Sequence, residues 1–206
     1  MTTIKRFLLA AAAGTLGAAL WWRRHPSACP YDQRLLLRFP RPGITVAKLR
    51  ATLDPQPGER ILEVGPGTGH YTLEVAAAVG PGGRLDAFDL QSEMLELVSR
   101  RAAERGIGNV VTSQGDARAL PYEDTSFDGA FLVTVLGEVP DQDAALRELG
   151  RVLKPGGRLL LGEIALDPHF VTARSLRRRA PAAGLRFVER HGTPLAFFAR
   201  LERAAD

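Results

Sequence analysis

The chain has one cysteine, Cys29, in 206 residues. A single thiol excludes an intramolecular disulfide and any cysteine-based metal site. Histidine is nearly as scarce. His25, His70, His169 and His191 are scattered without ligand spacing, so no metal is expected. Lysine occurs only at positions 5, 48 and 154, so arginine carries the formal charge of +4. Basicity of this size and composition names no nucleic-acid partner, and none is expected. There is no internal repeat. Low complexity is confined to one alanine-rich stretch near the N-terminus.

That stretch lies within residues 7–22 (FLLAAAAGTLGAALWW), which carry no charge. As a helix it measures about 24 Å, a little short of a ~30 Å hydrocarbon core. Lys5, Arg6, Arg23 and Arg24 flank it, and Trp21 and Trp22 stand where an interfacial aromatic belt would be. The reading favoured over a cleaved signal peptide is a membrane anchor over residues 1–24. Basic residues are denser after the segment than before it. The positive-inside rule therefore predicts a single-pass membrane protein with its globular domain in the cytoplasm. Residues 25–43, with Pro26, Pro30, Pro40 and Pro42, read as a linker with an amphipathic piece around 31–39. Residues 44–206 form the globular domain, long enough to bury a core of its own.

Within that domain Thr45 is a candidate N-cap for a helix ending near Leu53. Short apolar runs at 61–64, 84–88, 110–113, 129–135 and 158–164 then alternate with helical patterns at about 70–79, 92–105 and 141–153. This is the alternation of a parallel sheet built from βαβ units. Ser92 reads as the N-cap and Gly106 as the stop of the 92–105 helix. A helix near 172–183 precedes strands at 186–190 and 195–201. His191-Gly192-Thr193-Pro194 is the hairpin loop between them.

The chemistry concentrates after the first strand, in Glu63-Val64-Gly65-Pro66-Gly67-Thr68-Gly69. The glycines permit a tight turn and close approach of a ligand, and a helix N-terminus follows. A dinucleotide fingerprint needs G-x-G-x-x-G; His70 or Thr72 falls where its third glycine belongs. Glu63, two residues before the first glycine, would repel a pyrophosphate but suits a ligand carrying an ammonium. Asp89 ends the second strand, where a carboxylate in doubly wound folds can accept from both hydroxyls of a ribose. Asp116 follows the third strand, where a carboxylate could accept from an adenine amino group. Ligands in such sheets bind outside the carboxyl ends of the strands, which is where all three acids fall.

The stretches LEVGPGTGHYT, DLQSEML, GDARALPYEDTSFDGAF and ALRELGRVLKPGGRLLLGE, spanning 62 to 163, resemble the class I S-adenosylmethionine-dependent methyltransferases. Within that family they are most similar to the group of ubiquinone/menaquinone-biosynthesis C-methyltransferases. The resemblance implies an α/β, Rossmann-like, doubly wound sheet of seven strands with an antiparallel last strand, here preceded by an N-terminal hydrophobic helix. It implies S-adenosyl-L-methionine as cofactor, with Glu63, Gly65, Gly67 and Gly69 around its methionine moiety. It also implies Asp89 on the ribose, Leu90 against the adenine, Asp116 and Ala117 at the adenine edge, and Val133 and Thr134 near the sulfonium methyl.

A carbon or oxygen acceptor needs a base. Glu138, just past the fourth strand, and His169, past the fifth, are the catalytic candidates. His70 and Tyr71 fit better as cofactor contacts. Many relatives carry histidine or asparagine where this chain has Glu138. The expected acceptor is a small lipophilic molecule such as a quinone precursor or lipid. A single cysteine speaks against arsenite methylation. Leu136-Gly137-Glu138-Val139 stands where nucleic-acid and protein methyltransferases carry Asn-Pro-Pro-Tyr or Asp-Pro-Pro-Tyr. The remaining alternatives are such a macromolecular methyltransferase and a non-catalytic cofactor-binding scaffold.

Overall fold

The computed structural model describes residues 42–205 together with Ser27 and Asp32. Helix α1 (Val46–Leu53) leads into strand β1 (Arg60–Val64), helix α2 (Thr72–Val79), strand β2 (Arg84–Asp89), helix α3 (Ser92–Glu104) and strand β3 (Val110–Gln114). Strand β4 (Phe127–Val133), a 3-10 turn (Leu136–Glu138), helix α4 (Gln142–Val152) and strand β5 (Leu153–Ile164) follow. Helix α5 (Ala173–Arg179), a second 3-10 turn (Ala180–Ala183) and strands β6 (Leu185–Thr193) and β7 (Ala196–Arg203) complete the described order.

All seven strands form one sheet in the order β3-β2-β1-β4-β5-β7-β6. Strands β1 to β5 pair in parallel, and β7 runs antiparallel to both β5 and β6. The reversal of order between β1 and β4 creates a crevice at their carboxyl ends, the place where such sheets bind ligands. Buried parallel strands read as apolar runs because both faces are covered, and neighbours along a strand point to opposite layers. On β5, Leu160 and Ile164 pack with Leu49, Val75 and Val98 of α1, α2 and α3. Leu159 and Leu161 pack with Leu146, Leu149 and Leu176 of α4 and α5.

Local chemistry fixes the helix starts. The Thr45, Asp141 and Thr172 side chains accept backbone N–H groups of the first turns of α1, α4 and α5. Ser92 is instead the first residue of α3, and Gln91 is its N-cap without a side-chain cap bond. The reason is Asp89: its Oδ1 accepts the Gln91 N–H at 2.9 Å, so the turn is closed one step earlier. Helix α2 begins at Thr72, later than the pattern suggests, because the glycine turn runs on through His70 and Tyr71. Strand β4 stops at Val133, since Thr134 takes a left-handed φ of 57°.

The expected localisation as a single-pass membrane protein is corrected. Among the described residues no helix is long and apolar enough to cross a membrane. The longest, α3, has 13 residues and spans about 20 Å. Residues 7–22, which carried that expectation, the amphipathic piece at 31–39 and most of the linker lie outside the described residues.

Candidate functional site

A cavity of about 360 Å³ opens at the carboxyl ends of β1, β2 and β4, a size ordinary for a small-molecule cleft. One wall is the glycine turn. Gly65, Gly67 and Gly69 have φ of 72°, 53° and 79°, conformations that side-chain-bearing residues avoid. A Cβ on Gly65 would fall inside the Val135 side chain across the cleft. Gly65→Ala is therefore expected to destabilise the domain by about 1–3 kcal/mol, read as a lower thermal midpoint, and to close the cleft to ligand. The Gly65 N–H donates to the Phe88 carbonyl at 2.9 Å, and Arg101 of α3 donates to the Thr68 carbonyl at 2.5 Å, so both ends of the turn are tied down.

Of the residues expected to hold the cofactor or act as base, Gly65, Gly67, Asp89, Leu90, Asp116, Ala117, Val133, Thr134 and Glu138 line this cavity. Gly69 closes the turn from behind, its N–H donating to the Pro66 carbonyl at 2.9 Å. Glu63 lies in β1 behind the turn and is 2% exposed. Its Oε2 has no hydrogen-bond partner among the described residues. Burial, and less strongly the nearby Asp89, push its carboxyl up to about 8; the Thr72 hydroxyl opposes this from nearby but is itself unpartnered by geometry. Asp89 is also raised by burial, which the Gln91 and Leu90 N–H groups offset in part. Leu90 is 57% exposed at the rim. Both Asp116 oxygens accept from the Arg118 guanidinium at 2.6–3.0 Å, and these bonds hold its carboxyl below the usual range.

His169 does not line the cavity. It lies in the loop after β5, its backbone N–H donates to Asp167 at 2.7 Å, and its carbonyl presses against Gly137 of the 3-10 turn that carries Glu138. Met94, Gln91 and Arg118 line the cavity without having been singled out in the sequence. Met94 occupies a core-facing position of α3, and helical periodicity alone does not separate a cofactor contact from a core residue. Among the described residues no group of histidine, cysteine and carboxylate side chains could hold a metal.

Residues 61–157 match a family model described as a methyltransferase domain. The ubiquinone/menaquinone biosynthesis C-methyltransferase UbiE of Teredinibacter turnerae is 40% identical over 111 residues, covering 53% of this chain and 45% of that protein. The chain thus carries an S-adenosylmethionine-dependent methyltransferase domain. The UbiE of Pasteurella multocida is 38% identical over 152 residues, 70% of this methyltransferase chain and 56% of the relative. The chain thus spans about half the length of the curated relatives it matches. The crystal structure of a SAM-dependent methyltransferase from Aquifex aeolicus shares the fold at a TM-score of 0.78 and 20% identity, over 86% of this chain and all of that one.

The residues of this methyltransferase fit the family's cofactor. S-adenosylmethionine brings an ammonium, a sulfonium, a ribose diol and an adenine. Against these the chain sets a buried carboxyl with an unpartnered oxygen at Glu63, a turn free of side chains at Gly65 and Gly67, a second partly desolvated acid at Asp89, and an exposed apolar side chain at Leu90.

Proposed function

We propose that this chain transfers the methyl group of S-adenosylmethionine to a small lipophilic acceptor, of which a quinone precursor is the first to test. The observation that carries the reading is the buried Glu63 carboxyl, whose Oε2 has no partner among the described residues, directly behind a glycine turn that bounds a cavity lined by Asp89 and Glu138. Two relatives at 38–40% identity are named as C-methyltransferases of ubiquinone/menaquinone biosynthesis, which favours a carbon acceptor on a lipophilic ring.

When bound, the cofactor supplies an activated methyl group on a sulfonium. The roles of the chain's own residues are binding, orientation and one proton transfer. Glu63 holds the ammonium. Asp89 accepts from the ribose, Leu90 covers the adenine, and Asp116 and Ala117 meet the adenine edge. Val133 and Thr134 form the floor under the reacting methyl; the Thr134 N–H donates to the Gly162 carbonyl at 2.8 Å, which fixes that floor to β5. Glu138, on the cavity wall, would take the proton that the acceptor atom gives up in exchange for the methyl group.

Incubating the protein with labelled S-adenosylmethionine and a demethylated quinol extract should place label in a quinone-type product. Glu138→Gln should lower turnover by roughly 10²–10⁴-fold while leaving the cofactor dissociation constant unchanged. Label appearing only in protein or nucleic acid would reject the acceptor class. Full turnover in Glu138→Gln would remove Glu138 from the chemistry.

A further inference from the structure

Glu163 takes no part in the cofactor reading, yet it is a carboxyl placed inside the sheet. It is 2% exposed near the end of β5. Alternation along the strand puts it on the same face as Leu159 and Leu161, in the layer with Leu136, Val171 and Phe197. Its Oε2 accepts the Val171 N–H at 3.0 Å. Val171 stands at the far end of the loop that leaves β5, and two more bonds brace that loop. Asp167 accepts the His169 N–H at 2.7 Å through its side chain and the Phe170 N–H at 3.1 Å through its carbonyl.

The braced loop bears on the acceptor side of the cavity. At Gly137 a Cβ would overlap the His169 carbonyl, so the backbones of loop and 3-10 turn are in van der Waals contact. The next residue of that turn is Glu138, whose N–H donates to the Val135 carbonyl at 2.9 Å. We propose that Glu163 is a positioning residue: its buried carboxyl fastens the 165–172 loop against the 3-10 turn and so holds Glu138 at the cavity wall. This rests on Glu138 being the base, as read above. Burial and the negative charges facing Glu163, Asp167 of the loop and Glu138 of the turn, push its carboxyl up to about 8, and the Val171 N–H offsets this in part. Near neutral pH the side chain is therefore a neutral acid, able to anchor the loop without repelling Glu138.

The test compares Glu163→Gln, whose amide oxygen still accepts the Val171 N–H, with Glu163→Leu, which cannot. In the protein without ligand, Glu163→Leu should speed amide hydrogen exchange at least tenfold at Val171 and also at Glu138, leaving β1 and α2 unchanged. Glu163→Gln should exchange like the wild type. With a short-tailed water-soluble quinol as acceptor, Glu163→Leu should lower kcat tenfold or more at unchanged cofactor affinity, and Glu163→Gln should restore kcat to within threefold. Wild type should show an inflection in kcat near pH 8 that Glu163→Gln lacks. Faster exchange at Val171 with no change at Glu138 would overturn the proposal, because loop and turn would then be uncoupled. Equal impairment in both variants would overturn it too. If Glu138→Gln keeps full turnover, the base assignment fails by itself; if only Glu163→Leu keeps it, the positioning role fails and the base assignment stands.

Discussion

Asp89→Ala is expected to weaken S-adenosylmethionine binding by roughly 10²–10⁴-fold, because two ribose hydroxyls lose a charged acceptor and each such hydrogen bond is worth about 1.5–3 kcal/mol. The size follows from the position. Asp89 is the last residue of β2, 9% exposed, with one oxygen turned to the Gln91 N–H at 2.9 Å. The sheet holds its backbone through the Gly115 N–H, which donates to the Asp89 carbonyl at 2.9 Å, so the carboxyl is presented with little freedom to lose on binding. Removing it also frees the turn that starts α3. Asp89→Asn separates the two effects, since its amide oxygen keeps the Gln91 bond while the charge is gone. It should lose only about tenfold. Calorimetry on both variants decides: an unchanged dissociation constant in Asp89→Ala would refute the ribose assignment, and equal losses in both would show that charge, not turn geometry, dominates.

How much of this was legible in the sequence depends on how local the signal is. The strands of the parallel sheet announce themselves as apolar runs because both faces are buried, and the structure finds them within a few residues of 61–64, 84–88 and 110–113. Ends decided by competition between neighbours were less legible. Ser92 has the chemistry of an N-cap, but Asp89 closes the turn first. The Lys154-Pro155-Gly156-Gly157 stretch reads as a loop before β5, yet it is continuous with the strand that begins at Leu153. Asp89, Asp116 and Glu138 come together at one cavity because each ends or follows a strand at the sheet's carboxyl edge, and the fold itself gathers that edge around one crevice. Glu163 was missed as a separate feature although its signal is plain: an acid interrupting the apolar run Leu159-Leu160-Leu161-Gly162-Glu163-Ile164. What it holds lies eight residues away across a loop, and no periodicity reports that. Likewise the Arg118 guanidinium on Asp116 depends on a turn geometry two residues long that the sequence leaves open.

The second large effect concerns pH. Glu63 has its carboxyl raised by burial from 4.5 to about 8, so the ligand-free protein holds a proton there at neutral pH. The direction for stability follows from linkage. An acid with a folded-state value above its unfolded one favours folding at low pH, and that contribution is lost as pH rises from about 4.5 through about 8. Its upper limit is about 5 kcal/mol. Binding reverses the preference, because an ammonium beside Glu63 Oε2 favours the carboxylate. Below pH 8 the cofactor must therefore displace one proton, and affinity should climb about tenfold per pH unit between pH 6 and 8. Above about pH 8 the ligand's own ammonium begins to lose its proton, and affinity should fall again. S-adenosylhomocysteine keeps the ammonium and is the simpler probe. Titrations at pH 6.5 in two buffers of different ionisation enthalpy should show release of close to one proton per ligand. Glu63→Gln should release none, bind with an affinity independent of pH over this range, and bind more weakly than the wild type at pH 8. A wild-type affinity that stays flat from pH 6 to 8 without proton release would show that the buried carboxyl of Glu63 does not meet the ammonium.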